Sequence, residues 1–207
     1  MPIRSLFSSL QRLFRRTPPI TVVSGLPRSG TSMMVKMLAA GGIEPMTDGL
    51  RQADDDNPNG YFELERVKKL REGDTTWLKD APGKSIKVIS ALLQYLPAGY
   101  HYRVLFMQRN LGEVLASQRQ MLLNRGEASE QDSDEQMARR YLGHLEEVDA
   151  WFKTRRDIET LYVPYNRMVQ DPLPYIQQVN QFLGGGLDVE AMARVVDPSL
   201  YRKRSGG

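Results

Sequence analysis

A short loop between a predicted strand and a predicted helix holds the residues best suited to bind an anion. Residues 25–32 read Gly-Leu-Pro-Arg-Ser-Gly-Thr-Ser. Glycines let the backbone approach an anion closely, and the N–H groups at a helix start, aided by the helix dipole, attract phosphate. The loop therefore predicts a phosphate-binding site in which Arg28 supplies a positive charge.

This loop departs from that of the nucleoside triphosphatases in a way that bears on its ligand. The spacing of Gly25 and Gly30 matches Gly-x4-Gly-Lys-Ser/Thr, but Thr31 stands at the lysine position. In ATPases a later strand ends in an Asp that helps to hold Mg²⁺, whereas Gln108 and Arg109 follow the comparable apolar run here. This combination favours an anionic phosphate compound that is held without a metal ion.

Two signatures in this order resemble those of the sulfotransferases. The loop is similar to their 5′-phosphosulfate-binding loop, and its Pro-Arg-Ser-Gly-Thr core is most similar to that of the protein-tyrosine sulfotransferases. The second family signature is an apolar strand, an Arg and, eight residues later, a Ser; residues 104–107, Arg109 and Ser117 match it. The resemblance covers residues 20–187.

The resemblance implies the donor 3′-phosphoadenosine 5′-phosphosulfate and the product adenosine 3′,5′-bisphosphate. Arg109 and Ser117 would bind the 3′-phosphate. Arg28 stands where cytosolic members have a Lys beside the bridging oxygen, and a fixed cation there stabilises the charge that grows in the transition state. Because Arg is a poor proton donor, we expect electrostatic rather than acid catalysis. The residues expected to hold the 5′-phosphate are Ser29, Gly30, Thr31 and Ser32.

The general base departs from the pattern of the cytosolic enzymes. They use a His in a Lys-Thr-His-Leu-Pro segment, and the matching stretch here begins at Lys87 and has Ile89 at the histidine position. Protein-tyrosine and heparan sulfotransferases instead use a Glu located beyond the phosphosulfate loop. We predict Glu63 for this catalytic role, in a helix that begins with residues 61–63 and points Glu63 into the cleft. The alternative is a solvated acid at a helix start.

The elements that must position these residues alternate between strand and helix. This order predicts an α/β fold with three layers, in which helices cover both faces of a central parallel sheet, as in P-loop proteins. Two acid-rich stretches, residues 44–65 and 127–135, are predicted to be loops or lids. The predicted strands are 20–24, 86–89, 104–107 and 160–163. The predicted helices are 31–40, 111–123, 134–152 and 171–183.

Residues 1–19 form a distinct N-terminal segment, followed by a sulfotransferase-like domain over residues 20–207. Apolar side chains recur at helical spacing within residues 3–14, and Pro18-Pro19 ends the helix. The helix is too short and too charged to span a bilayer and lacks a secretory signal, so we expect a cytoplasmic protein. We expect this N-terminal helix to pack its apolar face on the domain that follows or on a partner. Alternatives are peripheral contact of residues 3–16 with an anionic membrane and an organelle transit peptide.

Composition excludes several function classes. The 207 residues contain no Cys, which rules out disulfides, thiolate zinc sites and a Cys nucleophile. The net charge is +3, yet residues 1–43 carry six basic residues and no acidic one. The rest of the chain is nearly neutral, so we expect no nucleic-acid partner. His101 and His144 lie outside the family motifs, and we expect surface or packing roles for them. The chain shows no persuasive metal-ligand spacing.

The sequence therefore predicts a sulfotransferase that moves a sulfuryl group to a hydroxyl or amine by in-line transfer, with no metal. The acceptor is a small molecule or a polymer, and the sequence does not indicate an oligomeric state. One alternative is a catalytically inactive member that binds nucleotide or partners. Another is a small P-loop kinase, which Thr31 and the missing acidic strand end disfavour.

Overall fold

Four parallel strands form the central sheet of the protein. The computed structural model describes residues 17–50, 60–124, 126 and 133–197, so the predicted N-terminal helix lies outside the described residues. The strand order is β2-β1-β3-β4, and every neighbouring pair is parallel. The strands are β1 (Ile20–Gly25), β2 (Ser85–Lys87), β3 (Tyr102–Gln108) and β4 (Ile158–Pro164).

Helices connect the strands and follow the last one. The α-helices are α1 (Thr31–Ala40), α2 (Glu65–Lys68), α3 (Leu111–Asn124), α4 (Asp134–Thr154), α5 (Tyr165–Gln170), α6 (Pro172–Phe182) and α7 (Val189–Val195). The 3₁₀ helices are Lys69–Glu72, Thr76–Asp80 and Ser90–Tyr95. None of these helices is long and apolar enough to cross a bilayer.

Several predicted boundaries are wrong by one or two residues, and three of the differences have an identifiable structural context. The strand predicted over 86–89 ends at Lys87, because Ser90 already begins a 3₁₀ helix. The helix predicted from residue 171 begins at Pro172, since Asp171 has a non-helical backbone. The predicted loop 127–135 includes the start of α4, where Ser133 and Gln136 form a reciprocal capping box; residues 127–132 lie outside the described part of the chain.

The sheet is covered on both faces, as the predicted three-layer α/β fold requires. Successive side chains of a strand point to opposite faces. On one face Val23 and Leu105 belong to a core that includes buried residues of α1, α5, α6 and α7. On the other face Val22 and Val104 pack with residues of α2, α4 and the 3₁₀ helices.

The carboxyl ends of the four strands meet at one edge of the sheet, where α/β proteins place their ligand sites. β1 leads there into the loop that begins α1, and β2 ends there at Lys87. β3 ends just before Arg109, and β4 leads directly into α5 at Tyr165. Residues far apart in sequence are thus brought to a common edge.

Candidate functional site

The loop after β1 has a backbone that only glycine accommodates at two points. Gly25 has φ 147°, and a Cβ there would lie 2.5 Å from Ser29 Oγ and 2.7 Å from the Met107 carbonyl oxygen. Gly30 is the N-cap of α1 with φ 96°, and a Cβ there would lie 2.3 Å from the Tyr165 ring. The loop is therefore tightly packed against the ends of β3 and β4.

Arg28 is joined to both residues of the second signature. Its Nε donates a hydrogen bond to Ser117 Oγ at 3.0 Å. Its carbonyl oxygen accepts a hydrogen bond from Arg109 Nη1, also at 3.0 Å. Arg28 adopts a left-handed backbone, with φ 67°, which is unfavourable for a residue with a side chain. The structure thus brings together three residues that sequence reasoning had named on separate segments.

Arg109 is a buried cation, with 8 % of its side chain exposed. Its Nε lies 3.0 Å from the carboxylate Oε2 of Glu113, which is itself only 2 % exposed. The guanidinium carbon lies 4.9 Å from the centre of the Tyr165 ring, within cation–π distance. The same ring blocks a side chain at Gly30, so it contacts both the loop and Arg109.

The first residues of α1 complete the loop. Ser29 is buried, and its hydroxyl donates to the Leu26 carbonyl oxygen at 2.7 Å. Thr31 is also buried, and Ser32 Oγ accepts a hydrogen bond from Lys87 Nζ at 3.4 Å. Lys87, which ends β2, therefore places a second positive charge beside the helix start.

Lys87 also contacts the predicted base. Its Nζ lies 3.4 Å from Glu63 Oε1 and donates to the Tyr61 carbonyl oxygen at 3.0 Å. The side chains of Lys87 and Glu63 are 10 % and 21 % exposed. Glu63 and the loop residue Ser32 therefore both contact the ammonium group of Lys87. Lys87 was not among the predicted site residues. The signal that could have found it is a lysine at the end of a strand next to β1.

The predicted helix start at residues 61–63 is wrong. The helix begins at Glu65, after an extended Leu64, and Phe62 has a left-handed backbone with φ 48°. Asp48 explains the shift, because its carboxylate accepts the N–H of Glu65 at 2.6 Å and so fixes the first turn there. That hydrogen bond also lowers the pKa of Asp48 below its ordinary value.

A neighbouring segment holds the backbone of Glu63. Thr47 Oγ1 donates to the Glu63 carbonyl oxygen at 3.0 Å, and the N–H of Asp48 donates to the same oxygen at 3.2 Å. The carbonyl oxygen of Glu63 thus accepts two hydrogen bonds from one neighbouring segment. Residues 44–50 act as its support, and residues 51–59 lie outside the description.

The two histidines lie away from the loop, whereas Ile89 follows Lys87 closely at the end of β2. His101 immediately precedes β3, at the opposite edge of the sheet, and contacts the exposed Glu159 at 2.6 Å. His144 lies in α4, and its Nε2 is 2.8 Å from Ser90 Oγ. Ile89 is 44 % exposed and follows the end of β2.

Comparison with known proteins identifies the family. A family model described as "Sulfotransferase domain" matches residues 18–206. The chain belongs to the sulfotransferase family. Sulfotransferase 4A1 of Mus musculus and that of Rattus norvegicus are each 25 % identical to this chain in an alignment of 188 residues that covers 83 % of this chain. The chain spans 62 % of the length of these curated relatives.

Solved structures share the fold of this chain. The sulfotransferase domain from the Synechococcus PCC 7002 olefin synthase has a TM-score of 0.56 at 17 % identity, covering 94 % of this chain and 90 % of that one. The sulfotransferase STF1 from Mycobacterium tuberculosis H37Rv has a TM-score of 0.52 at 16 % identity, covering 91 % and 74 %. The predicted α/β fold and the predicted family are confirmed.

Proposed function

We propose that this protein transfers a sulfuryl group from 3′-phosphoadenosine 5′-phosphosulfate to a hydroxyl or amine acceptor. The observation that carries the proposal is the joining of Arg28 to both Arg109 and Ser117, each at 3.0 Å. This donor carries a phosphosulfate at the 5′ position of its ribose and a phosphate at the 3′ position. It therefore needs two neighbouring anion sites. The loop before α1 and the junction of β3 with α3 offer such a pair.

The loop residues fit the phosphosulfate end of the donor. A Cβ at Gly25 or Gly30 would clash with surrounding atoms, so the backbone packs closely there and directs the first turn of α1 towards the strand ends. The N–H groups of Gly30 and Thr31 would bind the 5′-phosphate, aided by the hydroxyls of Thr31 and Ser32, while the Ser29 N–H donates to the Leu26 carbonyl oxygen at 3.3 Å and would have to exchange that partner to join them. Arg109 and Ser117 would bind the 3′-phosphate, since a guanidinium and a hydroxyl both donate to phosphate oxygens.

The donor supplies an activated sulfuryl group, and the chain supplies charge and a proton acceptor. The acceptor oxygen or nitrogen forms the new bond to sulfur while the bond from sulfur to the bridging oxygen breaks. Arg28 stabilises the negative charge that grows on the bridging oxygen. Lys87, 3.4 Å from Ser32 Oγ, stabilises charge on the sulfuryl oxygens. The proton of the acceptor passes to Glu63.

Glu63 suits the role of base by its position. It lies within 3.4 Å of Lys87, so it is on the same side of the sheet edge as the loop. Its side chain is partly exposed, which lets an acceptor approach it and lets the proton leave to solvent. Thr47 and Asp48 hold its carbonyl oxygen, and this fixes the backbone from which the side chain extends.

Titration calorimetry with adenosine 3′,5′-bisphosphate in the absence of magnesium tests the donor site. We expect the wild-type protein to bind this compound and Arg109→Ala to lose binding by at least tenfold. Arg119→Ala is the matched control, because Arg119 lies on α3 but is 60 % exposed and pairs with Asp134. Absence of binding by the wild type would refute the proposal, as would binding of ATP with Mg²⁺ in its place.

Sulfuryl transfer itself needs a separate measurement. A panel of phenols, alcohols, sugars and amines would be incubated with the donor, and release of adenosine 3′,5′-bisphosphate would be followed. We expect release that depends on one class of acceptor. Tight binding of the bisphosphate without transfer to any acceptor would instead identify a nucleotide-binding member of the family that lacks activity.

A further inference from the structure

Glu113 is a buried carboxylate that has no role in the proposed transfer reaction. It lies in the first turn of α3, and only 2 % of its side chain is exposed. Burying a carboxylate is costly unless charged or polar partners surround it. Its partners therefore indicate what it does.

One oxygen of Glu113 joins two strand ends. Oε2 accepts a hydrogen bond from Arg109 Nε at 3.0 Å and another from Asn166 Nδ2 at 3.0 Å. Asn166 Oδ1 in turn accepts the backbone N–H of Asn110 at 3.0 Å. The amide nitrogen and oxygen of Asn166 thus both form hydrogen bonds that connect the start of α5 to the junction between β3 and α3.

These contacts fix the guanidinium of Arg109 in three ways. Nε is held by Glu113, Nη1 is held by the Arg28 carbonyl oxygen, and the Tyr165 ring lies 4.9 Å from the guanidinium carbon. A planar group held at two nitrogens and along one face has a defined plane and rotation. Directional hydrogen bonds to a phosphate depend on that orientation.

We propose that Glu113 is a positioning residue that orients Arg109 towards the 3′-phosphate of the donor, and that Asn166 holds Glu113 in place; this inference rests on the proposed function. Glu113 also has an effect that opposes binding, because its negative charge repels a nearby phosphate. We expect orientation to outweigh repulsion, since without Glu113 the Nε of this buried cation loses its carboxylate partner and the guanidinium is held only from its other side.

Two ligands that differ only in the 3′-phosphate test the inference by calorimetry. We expect the wild type to bind adenosine 3′,5′-bisphosphate more tightly than adenosine 5′-phosphate. In Glu113→Ala the affinity for the bisphosphate should fall about tenfold, while that for adenosine 5′-phosphate stays the same. Because Glu113 acts through Arg109, the double variant with Arg109→Ala should bind the bisphosphate no worse than Arg109→Ala alone.

Milder variants keep the test valid if Glu113→Ala unfolds. Asn166→Ala removes only the tether, and we expect it to reduce the preference for the bisphosphate in the same direction. Glu113→Gln keeps an oxygen that can accept both hydrogen bonds, so it should restore part of the preference. Gln120→Ala is the control on α3, because Gln120 is exposed and bonds Asn124.

Two results would overturn the inference. Equal losses for both ligands in these variants would show a general structural role for Glu113. Tighter binding of the bisphosphate by Glu113→Ala or Glu113→Gln would show that repulsion dominates. Failure of the wild type to bind either ligand would instead contradict the proposed function, so the two failures are distinguishable.

Discussion

Replacing Gly30 by Ala should destabilise the fold and damage the donor site at the same time. The new Cβ would lie 2.3 Å from Tyr165 Cδ2 and 2.7 Å from Cε2, too close for either atom to remain in place. The left-handed backbone at φ 96° adds a cost of roughly 1–2 kcal/mol for any residue with a side chain. Steric overpacking adds roughly 1–3 kcal/mol.

Gly42 provides a control that separates these two costs. Its φ of 104° is close to that of Gly30, but nothing lies within 4 Å of a Cβ built there. Gly42→Ala should therefore show only the backbone cost. In a chain of this size, 1 kcal/mol corresponds to roughly 2–4 °C in Tm, so Gly30→Ala should melt several degrees below Gly42→Ala.

Thermal unfolding of the two variants, with and without Tyr165→Ala, measures the clash directly. The three nearest atoms to the new Cβ all belong to the Tyr165 ring, so removing the ring should lower the cost of Gly30→Ala towards that of Gly42→Ala. Equal destabilisation by the two glycine variants would refute the reasoning. So would an undiminished cost of Gly30→Ala in the Tyr165→Ala background.

The other two predictions concern turnover. Arg28→Ala should lower kcat by roughly 10²–10³-fold, since it removes the charge that stabilises the leaving group; near-normal turnover in steady-state assays of the folded variant would reject this role. Glu63→Gln should lower kcat by roughly 10²–10⁴-fold while calorimetry shows unchanged bisphosphate binding, because it removes a proton acceptor and leaves the donor contacts intact. Wild-type turnover in Glu63→Gln would reject Glu63 as the base.

The parts of the site that lie on continuous segments could be predicted from the sequence. The glycine spacing placed the loop between a strand and a helix, and α1 begins at Thr31 as predicted. Ser117 follows Arg109 by eight residues, and this spacing suffices to place it about two turns along α3. Residue spacing predicts the relative positions of such residues because the chain between them is mostly regular secondary structure.

Contacts between segments could not be predicted in the same way. Lys87 meets Glu63 only because β2 lies beside β1 and the segment before α2 passes over its end. The role of Asn166 depends on β4 lying next to β3, which brings its amide to Asn110. Sequence spacing carries no information on such neighbours, so strand order had to be known first.

The two carboxylates at this edge differ in ways that assign them different tasks. Glu113 has one oxygen that already accepts two hydrogen bonds, and its side chain is 2 % exposed. A proton on that oxygen would compete with both donors, which makes Glu113 a poor base and a good anchor. Glu63 is 21 % exposed, and its Oε1 lies 3.4 Å from Lys87 Nζ. Proton transfer belongs to the carboxylate that an acceptor can reach, so Glu63 remains the proposed base and Glu113 the proposed support of Arg109.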